Sequence, residues 1–593
     1  MGQLFIIQGA QECAVHELRE KARRAFQSLT GLSPSSELSS ATHAVLKFPK
    51  LNGDRSKIVQ DAATQSWACG AGTFFTPQRY GDAALPLLLE QRPSEETLDE
   101  WNGIFALAAF AGPQRELSII TDRLGSLHVY KTTLRGCVLI STSSLILAAL
   151  TQPDWDPIAC REFLATGTVF EQRSLFRGIE KLPPATIVRF RDGLEVSRTR
   201  YWGLHLIPYR DVDSRTCVHE LADALTGSIQ TIARHLPQPV MDLTGGFDSR
   251  ALAGSMLRAG LNFETVVNGQ ATDGDVLIAG RIARERQLQH RHYERGTQTP
   301  QQWLEQAKSA LPLCDGEIDL LLYAPTMDVQ RGLSAEFDVT LNGSNGEICK
   351  GYWWELLFPN TGRDRCFDPH KVAAQRFAYA GDPGLLAHHF DQNLTAHFAE
   401  ILARNNSGLE NHPNTAQMDN IYLGVRMQRW QGRIASSTAR IWPCLSPFMF
   451  RDVMHVALSA PPRLRVRNRL TRRLVEHLDP HLSAIPLDDG TPAMPLRLST
   501  AHYFWPLAKK YATKAMHRAF QRRATVTPGN KIRGLWQLEE IHRILRPDSM
   551  ETAGLYEPSK LKTLLAASQQ ESFSSAALFG RVLTLELAAR AVK

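Results

Sequence analysis

The sequence predicts an α/β protein in two parts, antiparallel sheets over residues 1–205 and an α/β domain over 206–593 whose C-terminal part is helical. Three observations predict it. Residues 1 to about 150 hold short β-like runs (LFIIQ, HAVLKF, IFALAAF, LSIITD, GCVLIST) separated by turn residues, as antiparallel sheets require. From about 215, helical stretches alternate with short apolar strands such as VVNGQ and TLNGS, the rhythm of a parallel sheet. Beyond about 365 the pattern is mostly helical, rich in Pro and Arg, with no internal repeat.

The elements follow in order. The opening MGQLFIIQGAQECAVHELREK has no basic stretch before its short apolar run, so it reads as a first strand and not as a signal peptide. Residues 156–168 (DPIACREFLATGT) read as a capped helix, with Asp156 as N-cap and Pro157 at the first helical position. FRGIEKLPPATIVRFRDG reads as a turn and then a hairpin. The polar stretch HLIPYRDVDSR breaks the strand pattern and places a boundary near 205–215.

The 593 residues exceed one ordinary core, and 43% hydrophobic with 21% charged residues is the composition of a soluble globular protein. A net charge of +7 spread over this length does not argue for a nucleic-acid partner. The arginines of RLRVRNRLTRR (463–473) read as a solvated helix face, with an anionic-ligand or RNA contact as the sharper alternative. Nine cysteines, an odd number with no C-x-x-C pair, speak against a disulfide scaffold or a structural zinc site and fit a reducing cytoplasm. No window reaches 18 consecutive apolar residues, so no membrane span is expected.

The stretch VMDLTGGFDSRALAGSM (240–256) carries the chemistry. A strand end followed by Gly245 and Gly246 lets the backbone approach a ligand closely. A helix beginning near Ser249 would present free N–H groups and a positive dipole end, an anion site. Asp248 makes sense there if a divalent cation bridges it to a phosphate. Ser249 would cap the helix and donate to a phosphate oxygen. The pattern is neither G-x-x-x-x-G-K-S/T nor G-x-G-x-x-G. The plainer reading is a Gly-rich strand-to-helix turn.

TGGFDSR after a strand resembles the S-G-G-x-D-S pyrophosphate loop (PP-loop) of the ATP pyrophosphatases. Within that group the chain resembles the glutamine-hydrolysing asparagine synthetase family, which includes lasso-peptide cyclase and β-lactam synthetase relatives. WNGIFALAAF (101–110), TDRLGSLHVY (121–130), SLFRGIEKLPPATIVRF (174–190) and LSPFMFRDVMHVALSAPP (445–462) each resemble a family segment, and they occur in the family's order. The resemblance implies an N-terminal glutaminase sandwich of the N-terminal-nucleophile (Ntn) type and a C-terminal PP-loop synthetase domain. It also implies a reaction. ATP activates a carboxylate as the acyl-adenylate, pyrophosphate leaves on magnesium, and an amine attacks to give an amide and AMP.

LNGSNGEICKGY (341–352) resembles the family's second loop. Gly343 and Gly346 would admit phosphates, and Glu347 falls where the family holds magnesium with Asp. The resemblance makes Thr244, Gly245, Gly246, Asp248, Ser249, Ser344 and Gly346 nucleotide-contacting positions. It carries Val267 and Gly269 over as adenine readers, with Leu243 flooring the nucleotide, although core or turn roles fit these three equally. Asp315 and Glu317 fall near the expected acceptor side, where a solvated loop is at least as good a reading.

The sequence departs from the family where the family's chemistry is most demanding. An Ntn glutaminase needs a cysteine directly after the initiator Met, and position 2 is Gly. Cys13 lies too far on to supply the α-amine. The glutamine-binding segments are missing except for an echo in Gly81-Asp82. The N-terminal domain is therefore expected to be an inactive, structural glutaminase. Ser344 stands where the family has a Glu or a Tyr base, and a hydroxyl has no useful basicity. The family's late lysine would fall in IPLDDGTPA, which has none, leaving Lys350, Arg433 or Arg440 as substitutes.

The expectation is an ATP- and Mg²⁺-dependent, AMP-forming amide ligase that does not hydrolyse glutamine. Its partners would be a small-molecule or peptide carboxylate and an amine from ammonia or from the substrate itself, with no nucleic acid, no membrane span and a homodimer allowed. Lasso-peptide and β-lactam cyclisation are the alternatives with an internal amine. A non-catalytic nucleotide-binding relative is the alternative of another class, and a tRNA-modifying enzyme lacks its expected appendage.

Overall fold

The computed structural model describes residues 2–593 apart from 54–55, 295–297, 365–366, 489, 501–534, 571–572 and 574. Cys366 and residue 489 of the IPLDDGTPA stretch thus lie outside the described residues; the other eight cysteines are free thiols. The fold is mixed α/β, as the sequence predicts.

The N-terminal part holds strands β1 (Gln3–Gly9), β2 (Ser36–Ser39), β3 (His43–Phe48), β4 (Val59–Asp61), β5 (Ser66–Phe75), β6 (Asn102–Ala111), β7 (Glu116–Thr121), β8 (Tyr130–Leu134), β9 (Cys137–Ser141), β10 (Glu180–Lys181), β11 (Thr186–Arg191) and β12 (Leu194–Arg200). They form two six-stranded antiparallel sheets, ordered β10-β8-β9-β1-β3-β2 and β12-β11-β7-β6-β5-β4. Alternation explains why β1 is apolar throughout. Leu4 and Ile6 face Trp67, Ile104 and Ile119 between the sheets, while Phe5 and Ile7 face a helical layer.

That layer contains the helix Glu12–Thr30, which a reading of the first 150 residues as strands alone passes over. Its buried Val15, Leu18, Ala22 and Phe26 recur every three to four residues, the helical period. The helix Pro157–Thr166 begins as its sequence predicts, with Asp156 accepting from the backbone N–H groups of Ile158 and Ala159.

The second part is built on β13 (Pro239–Asp242), β14 (Glu264–Gly269), β15 (Gln289–Glu294), β16 (Val339–Leu341) and β17 (Cys444–Leu445). All are parallel, in the order β15-β14-β13-β16-β17. Strand order reverses between β13 and β16, so the crevice beyond their carboxyl ends is where an open α/β sheet binds its ligand. The loops leaving these two strands are TGGFDS and NGSNGE. No helix among the described residues is long and apolar enough to cross a membrane.

One surface expectation changes. Arg465 does not belong to a solvated face. It is wholly buried, bonded to Asp419 at 2.6 and 3.0 Å and stacked on Trp354. In the segment GYWWELLFP (351–359), Trp354, Leu356 and Leu357 pack with Phe170, Phe367 and Phe398, while Phe358 is exposed.

Candidate active site

The first loop is shaped by its own polar groups. The helix Phe247–Arg258 starts with Gly246 as N-cap, two residues before the expected start. Ser249 therefore does not cap it. Ser249 sits in the first turn, and its Oγ lies within hydrogen-bond distance of the Thr244 N–H (3.3 Å), carbonyl (3.0 Å) and Oγ1 (3.1 Å) and of the Gly246 carbonyl (3.2 Å). A hydroxyl committed to the loop's shape holds the turn and is not free for a phosphate. The Gly245 N–H donates to Asp275 Oδ1 at 2.9 Å. The guanidinium of Arg250, itself 0% exposed, donates to the carbonyls of Gly245, Leu482, Ile485 and Pro486. These bonds lash the loop to the segment where the family's late lysine was sought.

The second loop lies against the first. A Cβ on Gly346 would stand 2.6 Å from Asp248 Cγ, and one on Gly343 would stand 3.0 Å from Asp248 Cβ and 3.2 Å from the Ser249 nitrogen. Glycine is thus required at 346 by the close approach of the Asp248 carboxylate. Lys350 Nζ donates to Asp248 Oδ2 at 2.7 Å. Asp248 Oδ1 is buried with no hydrogen-bond partner among the described residues.

The electrostatics follow. Burial pushes the Asp248 carboxyl up; Lys350 pulls it down and Glu347 repels it. Burial works against the Lys350 ammonium, but Asp248 and Glu347 outweigh it and hold Lys350 above its usual value. Lys350 is therefore a fixed positive charge at the junction of the two loops.

The stretch Tyr422–Gln431, wound as a π-helix, braces the second loop. Tyr422 donates its phenol to Glu347 Oε2 at 2.7 Å, and Gln431 Nε2 donates to Ser344 Oγ at 2.6 Å. Burial, and then the Glu347 carboxylate, push the Tyr422 phenol well above its usual value, so it remains a donor. π-Helical turns recur at functional sites because the wider turn re-aims side chains.

The nucleotide-side positions are mixed. Gly269 ends β14 at the crevice, its carbonyl 2.9 Å from His292 Nε2. Val267 and Leu243 are 4% and 0% exposed in the apolar core, so they support the site from beneath. Asp315, Glu317, Arg433 and Arg440 are corrected: none lines a solvated acceptor side or replaces the missing lysine. All four are buried. Arg440 bonds Asp315 at 2.6 Å and Arg433 bonds it at 3.0 Å, while Glu317 accepts from Tyr130 at 2.7 Å. Ser143, in the N-terminal part, donates to Asp315 at 2.5 Å, so the cluster welds the two parts together.

Magnesium is tested against this arrangement by the orphaned Asp248 Oδ1. A carboxylate oxygen buried without a partner beside a second carboxylate fits a cation held by one or two carboxylates plus phosphate oxygens. No group of three or more His, Cys, Asp or Glu suited to a metal exists among the described residues, so an all-protein cage is not offered.

At the head of β1, Gly2 leaves no room for a cysteine. A Cβ there would stand 2.2 Å from the Pro49 carbonyl oxygen and 2.4 Å from that of Phe48. Cys13 is exposed on the outer helix. Asp82 Oδ2 accepts from the Lys57 N–H at 2.6 Å, and its Oδ1 lies 3.7 Å from Lys47 Nζ.

Sequence signals would have found some of these residues. Arg250 stands within TGGFDSR itself. Tyr422, Gln431 and Asp275 carry no local mark, because only the fold brings them to the loops.

Residues 80–202 match the family model of the glutamine amidotransferase domain. Among solved structures, the chain is similar to the glutamine phosphoribosylpyrophosphate (PRPP) amidotransferase from B. subtilis complexed with ADP and GMP, at 9% identity over 49% of this chain and 65% of that one, TM-score 0.24. It therefore spans less than two thirds of that protein. It is also similar to a structure described as the allosteric regulatory enzyme of purine biosynthesis, at 9% identity over 49% of this chain and 80% of that one, TM-score 0.23. No curated protein matches the chain.

Proposed function

We propose that the protein is an ATP-dependent, AMP-forming amide ligase, related in plan to asparagine synthetases, that adenylates a carboxylate and joins it to an amine without hydrolysing glutamine. The observation that carries this reading is the meeting of Asp248, Gly346 and Lys350 at the point where the parallel sheet reverses its strand order.

The chain's own residues supply most of what adenylation needs. The carboxylate's oxygen must attack the α-phosphate of ATP, and the departing pyrophosphate must be neutralised. The free N–H groups at the start of the helix Phe247–Arg258 and the Lys350 ammonium face that charge. A bound magnesium would add Lewis-acid neutralisation of the pyrophosphate, held by Asp248 Oδ1 and Glu347. Tyr422 fixes Glu347, and Gln431 fixes Ser344, so the second loop need not reorganise.

ATP–pyrophosphate exchange tests the proposal. The full chain is incubated with ATP, magnesium, labelled pyrophosphate and each of L-aspartate, L-glutamate, galacturonate and a peptide bearing a Glu side chain. Exchange that one acid stimulates, and that Asp248→Ala abolishes, supports the ligase. Tight ATP binding with no exchange for any acid would instead make the protein a non-catalytic nucleotide-binding relative.

A further inference from the structure

A carboxylate that the adenylation chemistry does not use stands at the foot of the same crevice. Asp242 is the last residue of β13, directly before the first loop. Met241 and Leu243 point into the core shared with the helix Phe247–Arg258, and Val240 points into the opposite core. Strand alternation puts Asp242 on the Val240 face, away from the phosphate loop's helix. Its lateral neighbours are Val266 on β14 and Asn342 just after β16; Cys444 lies one strand further on, on β17 opposite Thr340, and accepts from Asn342.

That face turns toward the N-terminal part. The Cys444 thiol senses the charges of both Asp242 and Lys50. The turn after Lys50 is bonded to the segment before β17, Leu51 N–H to the Arg440 carbonyl and Asn52 N–H to the Ile441 carbonyl, each at 3.1 Å. Asp242 itself is part-buried and not sealed. Among the described residues, no hydrogen bond or ion pair reaches its carboxylate. A carboxylate so placed costs stability unless a ligand compensates it.

We propose that Asp242 receives the amine nucleophile on this side of the crevice and takes a proton from it as the amide forms, an inference that rests on the ligase reading. The reaction has an unfilled vacancy for such a group. An amine near neutral pH is an ammonium, which has no lone pair to attack with. Its nitrogen must lose two protons on becoming an amide nitrogen. Asp242 takes the first, the N–C bond forms, the acyl C–O bond breaks with its electron pair leaving on AMP, and the second proton goes to water. Ser344 cannot do this. Tyr422 cannot either, since it is held as a donor to Glu347. Burial alone raises the Asp242 carboxyl to about 7, where a general base is most effective. Val266 and Asn342 beside Asp242 do not titrate; the titratable groups further along this face are Cys444 and Lys50, and burial alone acts on Asp242.

The test compares the full chain with Asp242→Asn, using whichever acid of the panel above supports exchange. Exchange reports adenylation, which Asp242 does not enter, and also reports an intact fold. Amide formation is followed by mass spectrometry with ammonium chloride and, separately, with hydroxylamine, which is mostly uncharged at neutral pH. The expected result is exchange within about twofold of the parent, ammonia-dependent amide falling on the order of 100-fold or more, and hydroxamate falling less than about tenfold. Equal losses with the two amines, no loss with ammonia, or loss of exchange would each overturn the role of Asp242. Absence of exchange in the parent chain would overturn the ligase reading itself.

Discussion

Asp248 and Lys350, 102 residues apart in the chain, meet at 2.7 Å where the loops after β13 and β16 close on one another. The pair leaves one Asp248 oxygen unused and sets a cation beside it. Removing the lysine strands a part-buried carboxylate. Lys350→Ala should lower stability by about 1–3 kcal/mol, and adding Asp248→Asn should restore part of it. Urea denaturation of the single and double variants measures both.

Gly346 carries a geometric prediction. A methyl group would stand 2.6–2.8 Å from the Asp248 side chain, which must move. Gly346→Ala should cut ATP–pyrophosphate exchange at least about tenfold, since a misplacement of about 1 Å can cost 100-fold. Gly343→Ala, with its nearest contact at 3.0 Å, should cost less. Exchange rates and KM for ATP decide the order.

The cluster of Asp315, Arg433 and Arg440 predicts a coupling between the two parts. Arg440→Met would leave Asp315 buried with one guanidinium fewer. The expected cost is about 3–5 kcal/mol. The loss should appear in the unfolding of both parts, because Ser143 and the carbonyl of Thr142 belong to the same network. Calorimetry of the full chain reads this.

The sandwich should not be turned into a glutaminase by restoring one residue. Gly2→Cys places a Cβ against two carbonyl oxygens at 2.2 and 2.4 Å. Glutamate release from glutamine should stay at background, and any turnover would contradict the packing.

Asp242 also predicts a pH dependence of stability. Its carboxyl has an ordinary value of 3.8 when unfolded and about 7 when folded. Between these values the folded state holds a proton that the unfolded state releases. Stability is therefore full at the acidic end of the window and falls as pH rises toward 7 and above. The loss is on the order of 2–4 kcal/mol. Asp242→Asn should flatten the curve and be the more stable chain at pH 8, as equilibrium denaturation from pH 4 to 8 would show.

The two loops were legible because each packs its function into a dozen consecutive residues: strand end, glycines, acid, helix start. Asp156 and Pro157 were legible for the same reason, since a cap acts on its own first turn. Arg250 stood in plain view, but its four carbonyl partners are five residues away at Gly245 and more than 230 away at Leu482, Ile485 and Pro486. The helix Glu12–Thr30 was legible in its spacing and was hidden by the apolar strands around it. Asp315 and Arg440 look like site residues in sequence because charged side chains are seldom buried; in the fold they neutralise one another.

The sequence by itself determined the order of elements, the two glycine loops and the glycine at position 2, because period, turn chemistry and residue identity act over a few positions. Only the tertiary structure decided that Lys350 reaches Asp248, that Tyr422 holds Glu347, and that Asp242 has no partner among the described residues beside the N-terminal part. Those relations depend on which strands become neighbours in a parallel sheet, and that is set by the burial of the whole chain and not by any segment of it.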